Sequence, residues 1–439
     1  MTQPQQNAPI ALPSRLRQRY MLSVLIPYYR DRNGAIWLGR LWAHDLRAHL
    51  DYLGDLTILA PEVQIDQPGP DNGADLVRFE VPPGVNLRFR PYGKAGGGAL
   101  RALLALPARA IDAWAAVGQA DIVHSGVAGW PLPPGLLLNP IAVLRRRPLI
   151  IVIESAFWRL PDPAQAGWKA RLRASLTERF ARWSLRRARL GIYTSQAYRQ
   201  SLPVGPGGEA LVLSASWISD EMILSEAEAG ASWAKKLPAP QGEGGAVRFL
   251  MASRLVSEKG IGLFLAALQE LRAQGIAARI DVIGEGPMRA DLQAFADRPG
   301  PVMLRLLDPV EYGPPFMRLL QSYHAVIVPT TGDEQPRILF DAFAQAVPVL
   351  ATGTSGNLEV VTDGATGIVV APGGAHALAE GIIRAQNQPE RLHEMGLMAL
   401  ETARTYTHAT MHQRRAEVLR HLFADPATAA RQGDHEGLS

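Results

Sequence analysis

Six short apolar runs constrain the second half of the chain more than any other feature. They are "AVRFLMAS" (246–253), "ARIDVIG" (278–284), "VMLRLL" (302–307), "HAVIVPT" (324–330), "VPVLAT" (347–352) and "TGIVVAP" (366–372). Helical patterns such as "IGLFLAALQELRAQG" and "PRILFDAFAQA" lie between them. Near-continuous apolar strands that alternate with helices predict a parallel sheet covered on both faces. The first half repeats the pattern with "LSVLIPYY", "LTILAP", "DLVRFEV", "DIVHS", "PLIIVIES" and "RLGIYTS", and with helical segments such as "LWAHDLRAHLDYL". The expected architecture is α/β, with two doubly wound domains facing across a cleft and ligands at the carboxyl ends of the strands.

The expected boundaries are an N-terminal domain over 1–212, a linker or loop over 213–246 around "LPAPQGEGGAV", and a second domain over 247–405. A helix over 406–424 is a candidate to cross back to the first domain, and a polar, disordered tail follows over 425–439. The opening "RLRQRYMLSVLIPYYRDR" places basic residues before a short apolar run that holds Pro27 and leads into charges, so it reads as a first strand rather than a signal peptide. No apolar run reaches the roughly 18–20 residues of a membrane helix.

Composition narrows the chemistry. With no cysteine, disulfides, thiolate metal sites and Cys nucleophiles are excluded. Of the 45 basic residues only five are lysine, and the net charge is +4. An arginine-rich surface suits an anionic partner, although codon bias produces the same composition. Zinc-finger spacing and RNP-type motifs are absent, which argues against nucleic acid. "HATMH" (408–412) puts two histidines at i and i+4 without a Glu between them, which argues against a zinc motif. G-x-S-x-G, D-x-D and phosphate-binding P-loops are also absent.

Several loops carry candidate residues. In "ASRLVSEKGIGLFLAAL", Arg254 and Lys259 flank a loop between a strand and a helix, and Gly260 lets the backbone turn. Two cations at a helix N-terminus suit a diphosphate; a solvated loop with Lys259 paired to Glu258 fits the same residues. "DVIGEGPMRADL" has Gly284 and Gly286 after a strand, but Arg289 stands where a dinucleotide fingerprint needs a third glycine, so a tight turn is the plainer reading. In "VIVPTTGDEQPRILFDAFAQAVPVLATGTSG", Pro336 suits a first helical turn, with Asp333 before the helix and Asp341 inside it. At 1.5 Å per residue the two carboxylates would stand on the order of 10 Å apart, too far to share a proton but suited to an elongated ligand. A helix cap and a surface acid are the competing readings.

Across 247–405 these segments together resemble the C-terminal domain of family-4 (group 1) glycosyltransferases of the GT-B fold. "SRLVSEKG" is similar to their G-R-L-x-x-x-K-G segment, with Ser253 in place of Gly, and "VIGEGP" to their I-G-x-G-P turn. "DEQPRILFDAFAQAVPVLAT" is similar to their E-x7-E segment, with Asp333 and Asp341 in place of both glutamates. The resemblance implies transfer of a sugar from a nucleotide-diphosphate donor to an acceptor hydroxyl, with retention and without a required metal or cofactor, in glycan or glycolipid synthesis on the cytoplasmic side of a membrane. It implies that Arg254 and Lys259 bind the diphosphate, Asp333 the donor sugar and Asp341 the ribose, with Gly284 and Glu285 in the donor seat.

The first half resembles the family weakly. "DIVHSGVAGW" stands where D-x-x-H-x-H is common, which makes His124 a candidate for the reacting sugar. The usual glycine pair after the first strand is missing; Gly34, Gly39, Arg30, Arg32 and Asn33 are candidates to replace it, and Glu154 ends a strand at the expected cleft face. In 168–190, Trp168, Leu172, Leu176, Phe180 and Trp183 recur at helical spacing among eight cations and one acid. That line either packs on the core or docks on an anionic membrane surface. Two rival functions remain open, a catalytically degenerate sugar-nucleotide binder and, more remotely, an NAD-dependent dehydrogenase.

Overall fold

The structure is a computed structural model that describes residues 15–66, 75–92, 104–129, 133–160, 166–237 and 247–424. All six runs of the second half form strands of one parallel sheet, in the order Val302–Leu307, Ala278–Ile283, Arg248–Ala252, Ala325–Val328, Val349–Thr352, Gly367–Val370. The first half builds a seven-stranded parallel sheet, ordered Glu209–Val212, Leu190–Tyr193, Leu149–Ile153, Ile122–Gly126, Leu16–Ser23, Leu53–Ala60, Asn86–Pro91. In each sheet the first strand is flanked by strands that run outward in both directions. Strand order therefore reverses beside Arg248–Ala252 in one sheet and beside Leu16–Ser23 in the other.

Three expectations change. "LSVLIPYY" is not one strand: Leu16–Ser23 ends early, and Tyr28–Arg30 pairs with Ile36–Gly39 in a separate small sheet that also takes Glu62–Gln64 and Leu76–Arg78. Pro27 cannot donate to a ladder, which suits a break between the two strands. The segment expected to act as a linker contains the helix Glu226–Lys236, opened by a Ser225/Glu228 capping box. Its Trp233 is fully buried in the second core and donates from Nε1 to the Ala346 carbonyl at 2.8 Å. Residues 238–246 and the tail 425–439 lie outside the described residues. Finally, Trp168, Leu172 and Leu176 of the helix Trp168–Leu185 do not reach the core; they are exposed, and Ala181, Ser184 and Leu185 are the buried residues of that helix.

The C-terminal helix His408–Phe423 packs on the first half, not on the second half that precedes it in sequence. Ala416 and Leu419 join the core around Tyr20, Leu46 and Leu50, and a buried leucine contributes about 1.5–3 kcal/mol to such packing. Thr407 caps the helix by accepting from the Thr410 N–H at 3.2 Å.

Candidate active site

At the switch point of the second sheet, two strand-end loops meet. One runs on from Arg248–Ala252 to Lys259, the other from Ala325–Val328 to Arg337. Gly260 stands between them at φ 75°, and a Cβ there would come within 1.8 Å of the Pro329 carbonyl oxygen. Only glycine supports both the left-handed turn and that approach. A Cβ on Gly284 would lie 1.9 Å from the Ser253 carbonyl, so the "IGEGP" turn is a third loop pressed onto the first. Backbone bonds seal this contact, from the Leu255 N–H to Glu285 at 2.8 Å and from the Met288 N–H to Leu255 at 3.1 Å. Arg289, in place of a third glycine, donates to the Gly284 carbonyl at 3.0 Å and stands 3.6 Å from the Glu285 carboxylate.

The charged residues sit on this frame. Arg254 is exposed. Lys259 reaches across the switch point to Glu334, Nζ to Oε1 at 2.6 Å. Asp333 is exposed and accepts a hydrogen bond from the Ser355 hydroxyl at 2.7 Å. The Asp333–Glu334 backbone lies against Gly356, where a Cβ would meet the Glu334 carbonyl at 2.2 Å. The helix expected to open at Pro336 begins at Ile338, and Pro336 lies just outside it with its carbonyl accepting from the Leu339 N–H at 3.2 Å.

Asp341 is buried rather than a surface acid, and Tyr312 donates to its Oδ1 at 2.8 Å. Loss of solvent raises its pKa to about 7, partly offset by the Tyr312 hydrogen bond and by Arg337.

The first half supplies the facing wall. Glu154 follows the strand Leu149–Ile153 and keeps solvent contact, while surrounding protein crowds it enough to raise its pKa; Arg415 and Arg337 oppose that rise. Tyr198, on the short helix Gln196–Ser201, has its pKa raised by burial, and Asp333 and Glu334 add to the rise. The Glu359 carboxylate accepts from the Ala197 N–H at 3.1 Å across the same boundary. Arg337, Ser355 and Glu359 lie in the family-like stretch that begins at Asp333 but were not singled out as candidates, and Tyr198 had no motif to mark it; tertiary packing brings all four to the site.

Two first-half expectations are corrected. His124 is the third residue of its strand and is buried on the sheet face covered by the C-terminal helix. Its Nδ1 lies 2.7 Å from the Tyr20 hydroxyl and its Nε2 is buried without a hydrogen-bond partner. Burial drives its pKa well below the usual value. This enclosed, neutral ring belongs to the interior and not to a sugar-accessible surface. Arg30, Arg32, Asn33 and Gly34 do not form an anion loop either. They make a hairpin turn in which the Asp31 carboxylate accepts from the Asn33 and Ala35 N–H groups, each at 2.9 Å, while Arg30 pairs with Glu62 and Arg32 with Asp66. Gly39 ends the returning strand of this hairpin.

Two doubly wound sheets facing across such a cleft define the GT-B fold. Sucrose-phosphate synthase from Thermosynechococcus elongatus superposes over 93% of this chain and 100% of its own, with a TM-score of 0.65 at 17% identity. HepE of Anabaena, solved in complex with UDP-glucose, covers 92% of this chain and 99% of its own, with a TM-score of 0.60 at 14% identity. Residues 246–388, which contain the three strand-end loops, match the family model described as "Glycosyl transferases group 1". The chain is 26% identical over 144 residues to alpha-D-kanosaminyltransferase of Streptomyces kanamyceticus, and 30% identical over 145 residues to a Salmonella typhimurium protein named "Putative colanic acid biosynthesis glycosyltransferase WcaL". These alignments span 36% and 34% of those relatives and 32% and 30% of this chain.

Proposed function

We propose that this protein is a retaining glycosyltransferase that moves a sugar from a nucleoside-diphosphate donor to an acceptor hydroxyl during glycan or glycolipid assembly. The observation that carries the reading is the convergence of Arg254, Lys259 and Asp333 on loops at a topological switch point, inside the segment that matches the group 1 model. Arg254 and Lys259 supply positive charge to the leaving diphosphate. Asp333, held by Ser355, accepts from a donor-sugar hydroxyl, and Asp341 with Tyr312 lies on the ribose side. The bond from the anomeric carbon to the diphosphate oxygen breaks, and its electron pair leaves with the nucleoside diphosphate. The acceptor oxygen bonds the same face of that carbon, and its proton passes to the departing phosphate oxygen. Positioning and charge stabilisation account for the rate, and closure of the two halves limits hydrolysis. No divalent metal is required in this scheme.

The test is a panel of nucleotide sugars, first by thermal shift and then by transfer to lipid-linked and soluble acceptors, with and without added magnesium or manganese. A non-catalytic binder is the second reading, favoured by the two aspartates in place of glutamates and by the Lys259–Glu334 pair, which a diphosphate must displace. Nucleotide binding without transfer from any donor, and transfer gained on restoring Glu at 333 and 341, supports that reading and overturns the first.

The acceptor is best read as membrane-bound. Three neighbouring helices of the first half, Leu106–Gln119, Gly135–Leu144 and Trp168–Leu185, expose large apolar side chains, with Ile111 at 71%, Leu144 at 70% and Trp168 at 64% exposure. Arginines accompany them, Arg145 lying 4.0 Å over the Trp114 ring. An apolar surface set among cations suits the headgroup region of an anionic bilayer. Among the described residues, no helix is long and apolar enough to cross a membrane. Cosedimentation with vesicles of phosphatidylglycerol and phosphatidylcholine tests this reading; equal recovery on neutral and anionic vesicles overturns its charge component.

A further inference from the structure

A buried polar cluster lies between the helix Arg40–Leu50 and the C-terminal helix, joined to the second switch-point loop by Trp217, whose ring is 5.9 Å from that of His408 and 5.4 Å from the Arg337 guanidinium. His408 Nε2 is 3.1 Å from Asp45 Oδ1, His412 Nε2 is 3.0 Å from the same oxygen, and the two Nε2 atoms are 3.1 Å apart. The ring centroids are 4.4 Å apart, wider than the nitrogens, so the rings converge on the triangle. All three side chains are enclosed, at 4%, 6% and 14% exposure for His408, His412 and Asp45. The two histidines share one face of their helix because they are four residues apart.

Protons alone serve this triangle poorly. Each imidazole carries at most one hydrogen on Nε2, and three edges need filling. A cation seated over the triangle satisfies all three atoms at once. Tetrahedral zinc with bonds of about 2.0–2.2 Å sets its ligand atoms about 3.3 Å apart, close to the edges found here.

The surroundings resemble the outer shell of a metal site. Tyr52 Oη lies 3.1 Å from His412 Nδ1, in place to accept that N–H while Nε2 binds a metal. Arg415 donates to His49 Nε2 at 2.7 Å. A guanidinium has no acceptor, so His49 Nε2 accepts and the ring N–H lies on Nδ1. That N–H faces the Asp45 backbone oxygen at 2.9 Å and the Asp45 carboxylate at 3.3 Å, fixing the acid. One ligand atom each from Asp45, His49 and His412 falls within 4.8 Å of the others, so His49 stands close enough to complete the set if it leaves Arg415.

We infer that Asp45, His408 and His412 form a buried divalent transition-metal site, best matched to zinc, which staples the C-terminal helix to the first half of the protein. Two imidazoles and a carboxylate suit zinc better than magnesium or calcium, which take oxygen ligands. The spacing of the two histidines is visible in "HATMH"; the acid comes from a helix more than 360 residues away in sequence.

The experiment uses the untagged full chain, expressed with zinc in the medium and dialysed into metal-free buffer. Elemental analysis should find about one zinc per chain, removal by chelator should lower the Tm, and added zinc should restore it. Cobalt in place of zinc should show the visible bands of a four- or five-coordinate ion. Asp45→Asn and His412→Gln should lose the metal and the zinc-dependent Tm shift, while His421→Ala, at an exposed histidine, should keep both. Where a variant fails to fold, the wild-type zinc content, Tm response and cobalt spectrum decide. Sub-stoichiometric zinc with no Tm response in the wild type, or unchanged zinc in folded Asp45→Asn and His412→Gln, overturns the site.

Discussion

Lys259 Nζ lies 2.6 Å from Glu334 Oε1, an ion pair that bridges the two loops of the switch point. It places a carboxylate where a diphosphate would otherwise take the lysine. Lys259→Ala and Arg254→Ala should each weaken nucleoside-diphosphate binding about 10- to 100-fold, since a charge-assisted contact contributes about 1.5–3 kcal/mol. Glu334→Gln should tighten it by releasing the lysine. Calorimetry with the diphosphate that gives the largest thermal shift checks all three, and unchanged affinity throughout removes the donor-site assignment.

Asp333 is oriented by the Ser355 hydroxyl at 2.7 Å. Asp333→Ala should lower kcat with little change in the donor KM, because a contact with the reacting sugar strengthens in the transition state. Asp333→Asn keeps an acceptor oxygen and should be milder. Ser355→Ala should fall between wild type and Asp333→Ala, because it loosens the acid without removing it. A pure KM effect in Asp333→Ala would place this residue elsewhere on the donor.

Asp341 gives a pH-dependent stability of defined sign. Its folded pKa of about 7 lies above the 3.8 of an aspartate in the unfolded chain, so its contribution is fully present below pH 3.8 and is lost as pH rises through about 7. Each pH unit across this window is worth about 1.36 kcal/mol at most. Asp341→Asn removes the titration. The Tm of the variant relative to wild type should therefore rise between pH 4 and pH 7 and level off above. A difference that stays flat across that range shows that Asp341 is ionised throughout.

Trp168 and Leu172 lie on the solvent side of their helix. Trp168→Glu and Leu172→Glu should abolish recovery on anionic vesicles and leave Tm within about a degree, because exposed substitutions change stability by roughly 0.5 kcal/mol or less. A large fall in Tm would show instead that this face is covered.

The second half was the more legible. Its sheet is parallel and its four inner strands are largely buried on both faces, so the apolar runs stand out and all six form the sheet. The first half hid more. Asn86–Pro91 carries two arginines, and Ile36–Gly39 sits beside a glycine-bearing turn, so neither reads as a strand until its partner is known. Asp333 and Lys259 were marked by their places after strands, whereas Tyr198 carries no local signal.

What the sequence by itself determined was local: the alternation of strand and helix, the two switch-point loops, and the glycines at 260 and 284 that let backbones touch. Period and turn chemistry are written in neighbouring residues. The helix His408–Phe423 crosses back to the first half as its position suggested, but the tertiary structure alone decided which face of Trp168–Leu185 stays in solvent, why His124 is sealed away, and that Asp45 meets His408 and His412. Each of these depends on what a side chain finds across the fold, and a periodic pattern states only that a face is apolar or polar, not what will cover it.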